Sequence, residues 1–289
     1  MNGNNITNKN GCYFCGPVRN CGPYLDKVIH NIEILGETVF NDNYKIVIFY
    51  DQSTDNTHDI LKKYQHKLTN NKFVFYINNK RKSKYRTHNI AFARNQCLKY
   101  IYNEQKWNLF AMMDFDDVNA KPVHPHILQK YINTIYDNKW DSLSFNTSPN
   151  YYDIWGLSIY PYCFSYNHFK NSVQFYGIIQ DYIKQKLNNI KRHCLEPNDL
   201  LQCISAFNGF AIYRMNAFRN CLYDGRTNPL LIPANMMNAH IKATHSGLIF
   251  PTYPVADCLY EDCEHRAFHV NAFLQNGAKI RIAPLCLFD

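Results

Sequence analysis

The sequence predicts an α/β fold: one domain with a mostly parallel central sheet flanked by helices. Three observations predict it. Short apolar or β-branched runs alternate with stretches of helical apolar spacing up to Met113, in β-α-β-α-β order. The run Leu109-Phe110-Ala111-Met112-Met113 is wholly apolar and reads as a buried strand that stops abruptly at Asp114. The 289 residues are 46% hydrophobic and only 19% charged, which is the composition of a globular chain with a sizeable core.

Each element has its own signal. Residues 12–15 form a short apolar strand, and 17–22 a loop. Leu25, Val28, Ile29, Ile32 and Leu35 recur at helical spacing, with Gly36 as the expected stop. Residues 45–50 are a β-branched strand ending at Asp51, and the polar turn 51–55 supplies N-caps. Ile60, Leu61, Tyr64 and Leu68 give the next helix its buried face. Residues 73–77 are a third strand, and 90–102 a helix with Ile90, Ala93, Cys97, Leu98 and Ile101 inward.

The second half is less regular. Ile127, Leu128, Tyr131, Ile132 and Ile135 mark a helix after Pro125, and 140–145 reads as a strand. The aromatic stretch 151–166 resists assignment. Residues 181–191 read as a polar helix, 205–213 as a strand around Gly209, 267–276 as a helix closed by Gly277, and 280–282 as a last strand. No repeat or linker divides the chain, so residues 11–289 are taken as one domain behind a flexible, Asn-rich segment 1–10.

No apolar run reaches the length of a membrane-spanning helix, and the N-terminus is polar, unlike a signal peptide. With 11 cysteines and no secretory signal, the expectation is a cytoplasmic protein with reduced thiols. Cys12 and Cys15 form a C-x-x-C pair, but Cys21, Cys258 and Cys263 lack the spacing of a zinc site, and the pair reads as strand. The net charge of +8 is mild; its one dense run, residues 80–86, could meet phosphates or nucleic acid, but a solvated or flexible loop is the favoured reading.

The chemistry concentrates where the fourth strand ends. Asp114 and Asp116 are two residues apart, so on an extended chain they point the same way. Converging carboxylates repel unless a cation or donor lies between them. Hard oxygen ligands suit Mg²⁺ or Mn²⁺, ions that keep open positions for phosphates. In open α/β sheets this is also where ligands sit. The competing reading is an acidic turn after a core strand.

In these residues the chain resembles glycosyltransferases of the GT-A (Rossmann-like) fold, which use nucleotide sugars, from about Gly11 to Ile282. Asp51-Gln52-Ser53-Thr54-Asp55-Asn56-Thr57 is similar to the strand-end turn that faces the nucleotide base. Ala93-Arg94-Asn95 resembles the segment that reaches ribose and diphosphate. Asp114-Phe115-Asp116 matches the D-x-D metal motif, and Tyr260-Glu261-Asp262 the acidic motif before the acceptor-facing helix. The run from Cys263 to His269 is similar to a segment of surface-glycan and capsule transferases, including fungal capsule α-mannosyltransferases.

The resemblance implies a nucleotide-sugar half over residues 11–120 and an acceptor half over 121–289. It implies a metal-dependent transfer from a nucleoside-diphosphate sugar to a glycan, lipid-linked or protein acceptor, with Mn²⁺ or Mg²⁺ as cofactor and no nucleic-acid partner. Asp116 is then the best metal ligand, with Asp114 on the metal or the ribose, Asp117 a second candidate, and His265 or His269 completing the site. Asp51, Arg94, Asp114 and Asn208 bind the donor. Asp262 is the candidate base, with Glu261 and Glu264 raising its pKa. Tyr151, Tyr152, Trp155, Tyr160 and Tyr162 are candidates to stack on sugar rings. Each has a plainer alternative: a turn or cap for Asp51, an exposed helix arginine for Arg94, hydrogen-bonded histidines, a structural acidic turn for Asp262, core packing for the aromatics, and a bulge for Asn208-Gly209.

Two other functions compete. A sugar-nucleotide nucleotidyltransferase wants a glycine-rich basic loop after the first strand; residues 11–22 lack its dense G-x-G cradle. A non-catalytic glycan- or nucleic-acid-binding module would use the basic run, but the acids at the strand end would repel phosphates without a metal.

Overall fold

The computed structural model describes residues 11–134, 139–193, 199–247 and 260–289; Ile135 and Cys258 lie outside them. An eight-stranded sheet carries the molecule. Its strands are β1 (Cys12–Val18), β2 (Tyr44–Asp51), β3 (Phe73–Asn78), β4 (Leu109–Met113), β5 (Ser142–Asn146), β6 (Leu201–Cys203), β7 (Phe210–Arg214) and β8 (Ile280–Cys286), in the spatial order β3-β2-β1-β4-β7-β5-β8-β6. β1 to β4 are mutually parallel, and β5 runs parallel to β8. β7 and β6 are the antiparallel members. The sheet is therefore mostly parallel, as the alternating pattern predicts.

The described helices are α1 (Gly22–Phe40), α2 (Thr57–Lys67), α3 (Arg86–Glu104), α4 (Pro125–Asn133), α5 (Ser172–His193), α6 (Ala234–Thr244) and α7 (Glu264–Asn276). None is long and apolar enough to cross a membrane. The pleat divides the strand side chains between two cores. Cys12, Phe14, Ile46, Ile48, Ala111 and Met113 pack with α1, α2 and α4. Tyr13, Cys15, Val47, Phe49, Phe110 and Met112 pack with α3, α5 and α7. Covering both faces explains why these strands read as continuous apolar runs.

Several bounds differ from expectation. α1 runs through Gly36 and ends where Asn41 adopts φ +50°. Gly36 is there because the Tyr44 ring lies against it: a Cβ would stand 2.2 Å from Tyr44 Cδ1. α3 begins at Arg86, before its apolar periodicity does. The expected strand 205–213 is a turn at Asn208-Gly209 followed by β7 alone. The 181–191 helix extends back to Ser172. β6 and α6 carried no sequence signal. The nine described cysteines are all free, and Cys12 and Cys15 are buried in β1.

Candidate functional site

The chain reverses its direction of growth between β1 and β4, and the crevice outside their C-terminal ends is where an open α/β sheet holds its ligand. A cavity of about 470 Å³ opens there. Its walls come from the β1–α1 loop (Arg19, Asn20), the end of β2 (Asp51), the segment before α3 and its first turns (Arg81, Arg86, Arg94), the end of β4 (Asp114, Asp116), residues 152–155, Phe207, and the start of α7 (Glu264, His265).

The D-x-D turn is fixed from behind. Gly209 C=O accepts the Asp114 N–H at 2.9 Å, and the Asn119 side chain donates to both the Asp114 and Gly209 carbonyls at 2.7 Å. Asn31 of α1 in turn donates to the carbonyls of Asn119 and Lys121. Gly209 sits at φ +82°, and a Cβ there would meet Val118 Cγ1 at 2.6 Å, so both conformation and space call for glycine.

The two aspartates differ. Asp114 Oδ1 accepts from Arg94 Nη2 at 2.8 Å. Among the described residues, Asp116 receives only the Val118 N–H, at 3.3 Å. Burial, with Asp114 and Asp117 nearby, pushes the Asp116 carboxyl up to about 7. A half-buried carboxylate held up in this way is a place for a cation.

Arg94 is buried between Asp114 and Glu264, whose Oε1 accepts from its Nε at 3.0 Å. Phe207 faces the guanidinium at 4.6 Å. Burial disfavours its charge, but Glu264 and Asp114 outweigh that and raise its pKa. Its Nη1 is buried without a hydrogen-bond partner among the described residues.

The strand-end turn after β2 divides its labour. Only Asp51 lines the cavity, accepting from Asn78 Nδ2. Ser53 and Asp55 accept the backbone N–H groups of Asn20 and Gly22, and Thr57 that of Cys21. The motif's other polar residues thus tie two loops together.

The histidines separate as well. His265 is on the cavity wall, stacked on Phe207 at 3.6 Å, with both ring nitrogens buried and without a hydrogen bond among the described residues, Nε2 standing 3.5 Å from Glu264 Oε1. Burial, with Arg94 and His269 nearby, lowers its pKa well below the usual value, so the ring is neutral. His269 does not line the cavity. Its Nδ1 meets Ser205 Oγ and its Nε2 meets Tyr213 Oη, both at 3.0 Å, so neither nitrogen is open to a metal. Among the described residues no three His, Cys, Asp or Glu side chains are grouped to hold a metal ion by themselves.

The acidic motif before α7 faces inward on the protein. Glu261 Oε2 accepts from the backbone N–H and hydroxyl of Thr87, both at 2.9 Å, and so caps the start of α3. Asp262 is buried and pairs with Arg266 Nε at 2.9 Å. Neither lines the cavity. Arg266 uses its other nitrogens on Ser158 and on the carbonyls of Trp155 and Leu157, clamping the aromatic loop.

Of the five aromatics expected near an acceptor, Tyr152 and Trp155 reach the cavity. Tyr151 is core, Tyr160 is exposed, and Tyr162 packs edge-on against Tyr182. Asn208, expected to touch a ligand, is buried. It holds the loop by accepting the Tyr152 and Asp153 N–H groups at 2.8 and 2.9 Å while donating to Phe145 C=O.

Sequence reasoning did not single out Asp153, and it favoured a solvated loop over phosphate contact for the basic run that holds Arg81 and Arg86. The basic run is solvent-exposed, as expected, but Arg81 and Arg86 stand on the cavity rim. The buried side chain of Asn89 shapes their loop, accepting from the Lys82 and Ser83 N–H groups and donating to the Ser83 and Tyr85 carbonyls.

Residues 14–220, well over half of the chain, match the family described as Glycosyl transferase family 2. No curated protein matches the chain. Among solved structures it is similar to a mannosyltransferase from Pyrobaculum calidifontis in complex with GDP-Man and Mn²⁺, at 12% identity and a TM-score of 0.43, over 74% of this chain and 47% of that one. It is also similar to a 1–349 fragment of S. aureus TarS in complex with UDP-GlcNAc, at 13% identity and 0.48, over 96% and 57%. The chain spans about half the length of these two structures.

Proposed function

The chain belongs to glycosyl transferase family 2, and we propose that its cavity binds a nucleoside-diphosphate sugar with Mn²⁺ or Mg²⁺ and transfers the sugar to a hydroxyl acceptor. The observation that carries this reading is Asp116. Its carboxyl group is at a parallel-strand end inside a cavity, is in no ion pair among the described residues, and is pushed up to about 7.

The residues present fit a divalent ion shared with a ligand. Magnesium-like ions use one or two carboxylates and complete their shell with phosphate oxygens and water, which suits a site without an all-protein cage. Asp116 would hold the ion, with Asp114 beside it and the neutral His265 ring available on the wall. The bound ion would stabilise charge developing on the departing diphosphate.

The chain's own residues do the rest. Arg94 keeps Asp114 oriented and has Nη1 left for the donor. Arg81 and Arg86 offer exposed positive charge to the phosphates. Asp51, at the far end of the crevice, is placed for the ribose or base. Tyr152 and Trp155 give the sugar apolar faces to stack on.

The test is calorimetric titration of UDP and GDP into the protein with Mn²⁺ and with EDTA, repeated on Asp116→Ala. Binding that needs the metal and is lost in the variant supports the reading. Metal-independent binding, or none of either nucleotide, counts against it.

A further inference from the structure

Proton removal from the acceptor needs a carboxylate that faces the cavity and is not committed elsewhere. Beyond the D-x-D pair, three carboxylates among the described residues line the cavity: Asp51, Asp153 and Glu264. Asp51 is at the nucleotide end, engaged by Asn78. Glu264 holds the Arg94 guanidinium. Asp153 has no ion-pair partner among the described residues; its Oδ1 accepts the Gly156 N–H at 2.8 Å, which leaves Oδ2 for a ligand. Its neighbours Tyr152 and Trp155 also line the cavity.

Resting on the transferase reading above, we infer that Asp153 is the general base of the transfer, and that Asp262 acts only through Arg266 to position the loop that carries it. The acceptor oxygen forms its bond to the anomeric carbon. The bond from that carbon to the diphosphate oxygen breaks, its electron pair leaving with the nucleoside diphosphate. The acceptor proton passes to Asp153 Oδ2. A single displacement of this kind inverts the anomeric configuration.

The surroundings are built to hold that carboxylate. Asn208 grips the backbone at 152 and 153, and Arg266 grips it at 155 and 157. Gly156 leaves room, since a Cβ there would stand 2.3 Å from Asp153 Oδ2. The groups facing Asp153 are Asp114 after β4, Glu264, Arg266 and Cys263 at the start of α7, and Tyr151, Tyr152 and Tyr166. Burial, and then repulsion from Glu264 and Asp114, raises its pKa to about 6, suited to accepting a proton near neutrality.

Azide tests this, because it attacks without a proton to lose. Wild type, Asp153→Asn, Gly156→Ala and Asp262→Asn would be given UDP- and GDP-hexoses with Mn²⁺, and with water or azide as acceptor. Nucleoside diphosphate release and glycosyl azide configuration are the readouts. Asp153→Asn is expected to bind UDP or GDP within about threefold of wild type, to lose transfer to water by about 100-fold or more, and to keep azide transfer within about threefold. Gly156→Ala, with the carboxylate displaced but present, should show the same split. Asp262→Asn should lower both reactions together.

Undiminished transfer to water in Asp153→Asn overturns the assignment, as does a parallel loss of azide transfer or a retained configuration in the wild-type product. A wild-type chain that binds neither nucleotide overturns the transferase reading instead, and one that binds but transfers to neither acceptor overturns the transfer step.

Discussion

Arg94 Nη2 donates to Asp114 Oδ1 at 2.8 Å, joining the middle of α3 to the first carboxylate of the D-x-D turn. Arg94 is buried and also carries the buried Glu264, while Asp114 is a quarter exposed at the cavity. Removing one member of such a buried set leaves the others' charge uncompensated, a cost of about 3–5 kcal/mol. Arg94→Met keeps most of the volume and removes the charge. Its urea midpoint should fall accordingly, and Arg94→Lys should recover only part of the loss, because an ammonium lacks the fork that reaches two carboxylates. An unchanged midpoint in Arg94→Met would show that the pairs are dispensable to the fold.

The raised pKa of Asp116 makes stability depend on pH with a definite sign. Its folded value of about 7 lies above the ordinary 3.8. Between these values the folded chain keeps a proton that the unfolded chain releases, so this group's contribution is full below about pH 4 and is lost as pH rises towards 7. Asp153, at about 6, acts in the same direction. Without divalent ions, denaturation midpoints measured from pH 4.5 to 7.5 should decline less steeply in Asp116→Asn than in wild type. Added Mn²⁺ should stabilise wild type more at pH 7.5 than at pH 5, since the ion binds the ionised carboxylate. Equal slopes for the two proteins would remove Asp116 as a buried titrating group.

Gly209 joins two supports at once. Its carbonyl holds Asp114 and Asn119, and its φ of +82° is costly for any residue with a Cβ. Gly209→Ala adds backbone strain of about 1–3 kcal/mol and a contact with Val118 at 2.6 Å. We expect a loss of about 2–4 kcal/mol in urea unfolding from these two sources, together with weaker Mn²⁺-dependent nucleotide binding. Gly277→Ala also has a positive φ but meets nothing within 4 Å. It should lose stability without weakening nucleotide binding.

How much of this was readable in sequence follows from range. β1, β2 and β4 were visible because strands buried on both faces are apolar at every position. Asp114 and Asp116 were visible because their geometry depends on two-residue spacing alone. β6 escaped notice because it has three residues, and α3's true start because Arg86-Thr87-His88-Asn89 shows no apolar period; the N–H at Thr87 is capped by Glu261, 174 positions away. Residue types in Glu261-Asp262-Cys263-Glu264 show that acids gather there. They do not show which one turns to the cavity, and it is Glu264. Asp153 depends on Asn208 drawing a distant loop against the end of β4, and Arg81 and Arg86 depend on Asn89 folding the basic run. Such long-range placement leaves no local pattern to read.

That folded basic run makes the last prediction. Arg81 and Arg86 are on the rim, and Arg86 lies near enough to Asp116 and Glu264 to influence both. A guanidinium that forms a charged hydrogen bond to phosphate contributes about 1.5–3 kcal/mol, so Arg86→Ala should weaken Mn²⁺-dependent UDP or GDP binding by about tenfold or more. The weakening should shrink as salt rises from 50 to 500 mM, because exposed charges are screened over a few ångströms at high ionic strength. Lys80→Ala, in the same run but away from the cavity, should change affinity little. Asn89→Ala leaves both arginines in place while removing four hydrogen bonds that shape their loop, and it should weaken binding in the same direction as Arg86→Ala. If Lys80→Ala and Arg86→Ala weaken binding equally, the run acts through its net charge and not through the two side chains on the rim.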